Sequence, residues 1–140
     1  MRATVGIAPM DLKNKVVAIT FDDGYKDLIS NGLPILKKYN FKATVFIVSN
    51  LIGKTNIWDE ENKNILEKEI MDNNDINLWI KNGMRIGSHS KSHKNLTNLS
   101  DKLMLDEIIA SKHNLEKLTG NSVKSFCYPY GSFNNYILSE

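Results

Sequence analysis

The apolar positions fall into short continuous runs separated by longer stripes of helical period. Val16-Val17-Ala18-Ile19-Thr20 is apolar or β-branched throughout and too short for a helix, so it reads as a fully buried strand. Residues 42–48 (Lys-Ala-Thr-Val-Phe-Ile-Val) form a second such run, 85–87 a short third and 123–128 a fourth. A weaker strand pattern covers residues 3–7 and breaks at Pro9. Between the runs, residues 25–40 place Leu28, Ile29, Leu33, Leu36 and Tyr39 on one helical stripe. Pro34 lies inside that stripe and predicts either a kink or a helix start close by. Residues 75–82 predict a short helix carrying Ile76, Trp79 and Ile80, closed by Gly83 as a left-handed cap. Ser100 is placed to cap a helix reaching about Leu118, with Met104, Leu105, Ile108, Leu115 and Leu118 inward and Gly120 at its end. Leu99 and Met104 have the spacing of a hydrophobic staple. Residues 49–74 are patterned least: Ile65, Leu66, Glu69 and Ile70 suggest a helix, and Thr55-Asn56-Ile57-Trp58 a loop.

The resulting order, β-α-β-α-α-β-α-β, predicts an α/β fold with a parallel sheet covered by helices. In such folds the C-terminal strand ends share one rim, where active sites gather. Asp22-Asp23, His89 and Pro129-Tyr130 each follow directly on a predicted strand. Packing alone gives little reason for three polar groups to fall at strand ends.

Composition narrows the reading further. The 140 residues suit one domain with its own core, and 41% hydrophobic and 24% charged residues are ordinary for a globular protein. A net charge of +2, with Lys37-Lys38 the only adjacent basic pair, argues against a nucleic-acid partner. The single cysteine, Cys127, excludes an internal disulfide. No run reaches membrane-spanning length, and residues 1–15 lack the apolar segment of a signal peptide. The expectation is a protein that stays inside the cell, or one whose export signal lies outside these residues.

The chemistry-bearing residues each have an ordinary explanation. Adjacent aspartates after a strand serve as turn and cap residues, and two histidines on a serine-rich loop suit a solvated surface. Tyr128 and Tyr130 suit the core or its rim. His113 lies off the inward stripe of its helix, and Cys127 alternates with buried positions of its strand. Together they allow more. Two adjacent carboxylates repel unless a cation or a proton separates their roles. His89 and His93, four residues apart, share a face if they lie on a helical turn, so both rings can reach one ion. A catalytic zinc site takes three protein ligands and leaves a position open. His89, His93 and one aspartate meet that need, and the second aspartate is left to act as a base. Ser90 follows His89, so the zincin pattern with its adjacent glutamate is absent.

Thr20-Phe21-Asp22-Asp23-Gly24, Ser88-His89-Ser90-Lys91-Ser92-His93 and Tyr128-Pro129-Tyr130-Gly131 resemble, in order, the first three motifs of the polysaccharide deacetylases with a NodB-type domain (carbohydrate esterase family 4). The connecting Leu33-Pro34-Ile35-Leu36-Lys37-Lys38-Tyr39, Ala43-Thr44-Val45-Phe46-Ile47 and residues 83–87 are similar too, so the resemblance spans about residues 16–134. It implies a distorted, incomplete (β/α) barrel with a mainly parallel sheet, formed by residues 16–140 behind an N-terminal arm of residues 1–15. It also implies that Asp23, His89 and His93 bind a divalent metal, usually zinc, and that Asp22 is the general base toward a metal-bound water. The Tyr130 backbone N–H would help hold the oxyanion. Tyr25 and the Tyr-Pro-Tyr-Gly motif resemble the branch acting on poly-N-acetylglucosamine, which would place Tyr25, Tyr128 and Pro129 at the substrate.

Two departures stand out. Cys127 occupies the position where many members carry an arginine that orients the base. The family's fourth and fifth motifs, with the histidine that protonates the leaving amine, lie further C-terminal than Glu140. The expectation is therefore either partner contacts, self-association among them, over the open edge of the last predicted strand, or a chain that is a piece of a longer protein. The expected activity is removal of N-acetyl groups from a cell-wall or extracellular polysaccharide containing N-acetylglucosamine, at the cell surface or secreted. A non-catalytic metal-containing carbohydrate-binding module and a small-amide metal hydrolase are the competing readings.

Overall fold

The computed structural model describes residues 3–6, 17–59 and 66–139. Four strands, β1 (Ala3–Gly6), β2 (Ala18–Phe21), β3 (Ala43–Ile47) and β4 (Arg85–Ser88), form one sheet in that order. The strands β2, β3 and β4 run parallel, and β1 is antiparallel to β2 on the outer edge. Among the described residues four α-helices accompany them: α1 (Leu33–Lys38), α2 (Asn73–Lys81), α3 (Asp101–Thr119) and α4 (Asn135–Ser139). The predicted α/β class with a mainly parallel sheet is what the chain adopts. No helix among the described residues is long and apolar enough to cross a membrane.

The central strand β3 is the axis of the core. Val45 and Ile47 are wholly buried and pack with Leu28, Leu33, Leu36, Met71, Ile76, Trp79 and Leu115. A second cluster gathers Leu96, Met104 and Ile137, with Leu99, Leu105, Ile108, Phe126 and Tyr128 against it. Trp79 is buried edge-on against Phe21, with ring centroids 6.3 Å apart, and its indole N–H donates to the Arg85 carbonyl at 2.8 Å. That bond ties α2 to the first residue of β4. Gly87 is required where β4 passes Phe46 and Ser125. A Cβ there would lie 2.5 Å from the Phe46 ring and 2.7 Å from Ser125 Oγ.

Several expectations are corrected by the structure. The strand read as fully buried, residues 16–20, is only half covered as β2, and Val17 before it is 62% exposed; Val16 lies outside the described residues. The helix expected over 25–40 is split into a π-helical turn, Leu28–Gly32, and α1. Pro34 sits in the first turn of α1, where its missing N–H costs nothing. Tyr39, placed on the inward stripe, is past the end of α1 and exposed. Among the described residues 66–70 there is no helix where one was expected around Leu66, Glu69 and Ile70, and Ile65 lies outside the described residues. Leu66 is 79% exposed, so no apolar stripe forms there. Glu69 and Ile70 instead make single bridges to Thr55 and Tyr25.

The helix α2 begins earlier than its apolar stripe suggests. Asp72 accepts from the N–H groups of Asn74 and Asp75, and Asp75 accepts from Asp72, which is a capping box built from two aspartates. Gly83 and Gly120 take the left-handed conformation expected of them. Ser100 precedes α3 as its N-cap residue, though its side chain makes no capping bond. Residues 123–128 form no strand of their own. A single parallel bridge joins Phe126 to Ser88, with Ser88 N–H donating to Ser125 and Cys127 N–H to Ser88, each at 2.9 Å. This contact is enough to carry Pro129 to the same rim as Asp22 and His89.

Trp79→Ala should destabilise the fold by about 3–5 kcal/mol, because it empties a packed site and orphans the Arg85 carbonyl. Trp79→Phe, which keeps most of the packing, should cost markedly less. Urea unfolding followed by far-UV circular dichroism separates the two.

Candidate metal centre

Asp22 and Asp23 leave the end of β2, and His89 leaves the end of β4, with β3 between them. The chain must turn sharply after Phe21. Asp23 has φ 71° and Gly24 has φ 75°, and an added Cβ at Gly24 would lie 2.8 Å from Ile47 Cδ1. This turn brings one oxygen, Asp23 Oδ1, to 3.2 Å from Nε2 of His89 and 3.2 Å from Nε2 of His93. Both imidazoles are buried.

The two histidines do not share a helical turn, contrary to the expectation from their spacing. Residues 89–93 form a loop in which Ser90 (φ 67°) and His93 (φ 61°) take left-handed conformations. The loop closes on itself when His93 N–H donates to Ser90 Oγ at 2.9 Å. His89 Nδ1–H donates to the Cys127 carbonyl at 2.8 Å, since a carbonyl can only accept. That bond leaves the His89 Nε2 lone pair directed at the Asp23 side, the arrangement metal-ligating histidines use.

The three ligand atoms suit a small divalent ion. With bonds of about 2.0–2.1 Å in a tetrahedral site, neighbouring ligand atoms stand about 3.3 Å apart. The two 3.2 Å separations match that edge. One carboxylate and two imidazoles are also a donor set common to zinc. A second trio overlaps the first: a carboxylate oxygen of Asp22, a ring nitrogen of His89 and Sγ of Cys127 lie within 4.8 Å of one another. Asp22 is thus next to the centre while Asp23 is the carboxylate that meets both rings.

The sequence of residues 10–140 matches the family model for polysaccharide deacetylases. The chain belongs to the polysaccharide deacetylase family. A poly-β-1,6-N-acetyl-D-glucosamine N-deacetylase of Staphylococcus epidermidis is 32% identical over 123 residues, covering 85% of this chain and 42% of that protein. The peptidoglycan-N-acetylmuramic acid deacetylase PdaC of Bacillus subtilis is 32% identical over 132 residues, covering 94% of this chain and 25% of that protein. Among solved structures, the Streptococcus pyogenes deacetylase PplD in complex with acetate superposes with a TM-score of 0.76 at 28% identity, covering 93% of this chain and 52% of that one. The chain therefore spans about half or less of the length of these relatives.

Around the centre of this polysaccharide deacetylase chain, aromatic rings form a wall. Trp58 lies 4.4 Å from the His93 ring, Tyr130 meets the same ring edge-on at 4.8 Å, and Tyr25 lies 6.5 Å from Trp58. Burial, and then the charges of Asp23 and Asp59, push the Tyr25 hydroxyl above its usual range. Tyr130 has φ 59° and is 60% exposed. Tyr128 and Pro129 are not part of this wall. The Tyr128 ring packs between Phe126 and Phe133 against the second cluster, and Pro129 is buried. Cys127 is half-buried rather than buried.

Two groups escaped the sequence reading. Trp58 sits in a stretch read only as loop; a tryptophan beside Ile57 in an otherwise polar stretch is its one signal. Glu107 is buried on α3 and reaches the loop between the histidines. Its signal was legible: it falls on the stripe that buries Met104, Ser111 and Leu115, where a carboxylate needs partners.

The carboxylate–imidazole pair has a consequence for stability without metal. Burial works against a charged His89, but the Asp23 carboxylate, then the Cys127 side chain and last the Cys127 carbonyl outweigh it and raise the imidazole to about 10. Burial likewise opposes the Asp23 charge, yet the two histidines hold its carboxyl well below the usual range. A raised histidine contributes fully below its unfolded value of 6.5 and loses that contribution as pH rises toward 10. The chelator-treated protein should therefore unfold at lower urea at pH 9.5 than at pH 6.5 (two conditions, about the ends of that window). His89→Gln should remove most of this difference. An equal difference in parent and variant would show that other groups cause it.

Proposed function

We propose that this chain carries the metal-dependent hydrolytic centre of a deacetylase acting on polysaccharide that contains N-acetylglucosamine. The observation that carries the reading is Asp23 Oδ1 standing 3.2 Å from Nε2 of two buried histidines at the rim of the sheet. Asp23, His89 and His93 would hold the ion, with zinc the best match to the donor set. The ion, when bound, supplies a water of lowered pKa and polarises the acetyl carbonyl.

The remaining roles fall to the chain's own residues. Asp22, beside His89 and Cys127, takes a proton from the attacking water, a contribution worth roughly a hundred- to ten-thousand-fold. The Tyr130 N–H lies in a segment whose ring already touches His93, and it donates to the oxygen that becomes negative as water adds. Tyr25 and Tyr130 border the sugar, and Tyr128 and Pro129 keep the third motif in place from behind. The names of the relatives support an N-acetylated amino-sugar polymer and a location at the cell surface or outside the cell. Residues 16–140 would belong to the deacetylase domain, behind an arm of residues 1–15.

A non-catalytic metal module would need only the three ligands. Asp22 adjoining the centre favours hydrolysis.

Asp23→Ala, His89→Ala and His93→Ala should each leave the purified protein nearly free of zinc by elemental analysis, because each removes one of three protein ligands. Asp22→Asn should retain the metal and lower acetate release from N-acetylglucosamine oligomers by roughly a hundred-fold or more. The reverse pattern, an empty Asp22→Asn site and a filled Asp23→Asn site, would exchange the two roles. Turnover should rise with pH through the apparent pKa of the base and its water. A rate that stays flat from acid to neutral pH would rule out this base.

A further inference from the structure

We infer that Glu107 is a positioning residue for the two histidines, acting through the loop that joins them; the inference rests on the proposed metal centre. The loop's backbone hydrogen bonds can be followed one by one. His89 N–H donates to the Ile47 carbonyl at 2.9 Å. The carbonyls of Ser90 and Lys91 accept from the N–H groups of Ser49 (3.2 Å) and Asn50 (2.9 Å), which follow β3. His93 N–H is taken by Ser90 Oγ. Of the other donors, the N–H groups of Lys91 and Ser92 both go to Glu107 Oε2, at 3.0 and 2.8 Å. The Ser92 hydroxyl donates to the other oxygen, Oε1.

Glu107 is 5% exposed and sits within a 19-residue helix. Two backbone donors and a hydroxyl converging on one buried carboxylate compensate its desolvation, and they leave the loop a single placement. Lys91 adds a tie from the outside, its ammonium 2.6 Å from Asp106 on the same helix. The loop is thereby clamped from two directions: the residues after β3 hold two of its carbonyls and α3 holds two of its N–H groups. Both clamps lie between His89 and His93, so the separation and facing of the two Nε2 atoms follow from them. Glu107 makes no hydrogen bond to either imidazole; its bonds go to Lys91 and Ser92. Its effect on the centre passes through residues 91 and 92.

Glu107→Met, similar in size and helix preference, removes every acceptor; Glu107→Gln keeps an oxygen for the two N–H groups and an amide toward Ser92. Zinc affinity measured by chelator competition should fall about ten- to a hundred-fold in Glu107→Met and stay near the parent value in Glu107→Gln. Ile76→Val, a core change away from the loop, serves as the stability control and should leave zinc affinity unchanged. In the metal-free parent, hydrogen exchange should find the Lys91 and Ser92 amides protected, and in Glu107→Met exposed. Zinc binding by Glu107→Met within about twofold of the parent, or rapid exchange of those amides in the parent, would overturn the assignment. If Glu107→Met does not fold, Ser92→Ala carries the test: it should speed exchange at residues 91 and 92, and unchanged exchange would count against the clamp. A parent that binds no zinc would refute the metal centre, while the exchange measurements would still decide the role of Glu107.

Discussion

The register of β3 between β2 and β4 is the constraint on which the rest of the structure depends. Phe21 pairs with Val45, and Ile47 pairs with Ser88. Strands two places apart in a sheet lie about 10 Å from each other, so Asp23 and His89 meet only because both chains turn inward over the end of β3. A slip of one residue in either pairing would turn every side chain of the slipped strand to the opposite face of the sheet. Val45 and Ile47, both wholly buried, make such a slip costly. The same two residues that anchor the core therefore fix where the carboxylate and the imidazoles converge.

The elements outside the sheet serve that convergence in different ways. The indole of Trp79 fastens α2 to the start of β4, opposite the rim that bears His89. Phe126 bridges to Ser88 at the rim itself, and the next residue supplies the carbonyl that orients the His89 ring. Ser88 Oγ also meets Ser111 Oγ at 2.6 Å, joining β4 to α3 beneath the loop. Each attachment is a specific polar contact in an otherwise apolar setting, where an unmatched group would be expensive.

Much of this was legible in the sequence, and for identifiable reasons. Residues 42–48 and 85–87 are dense enough in strand-forming residues, and close enough to turn signals, to be read without the fold. The helices α2 and α3 follow from their stripes and terminal glycines. Asp22, Asp23, His89 and His93 were legible from their positions after strands and from their motifs. What was hidden depends on distant partners. Leu66 looks like a helix position because side-chain period cannot tell an exposed leucine from a buried one. Residues 123–128 look like a strand because β propensity records a preference for extended backbone, while the number of ladder bonds is set by the neighbour. The loop geometry at His89 and His93 was hidden for the same reason. A spacing of four suggests a helical turn, and only the acceptors on α3 and the donors after β3 make the left-handed alternative stable.

Asp23, Ser90, His93 and Tyr130 all hold positive φ without being glycine, and Asn40 is the only other such residue among those described. Aspartate and histidine tolerate this conformation better than serine or tyrosine, but none adopts it as freely as glycine does. Residues held this way commonly cost of order 1–3 kcal/mol each. The centre is therefore a reservoir of conformational tension supported by the rest of the molecule. Selection for thermal robustness alone would drift toward glycine at these four positions, and at Asp23 and His93 that change would remove a proposed metal ligand. In this chain, resistance to heat and competence at the rim are opposing demands on the same few residues.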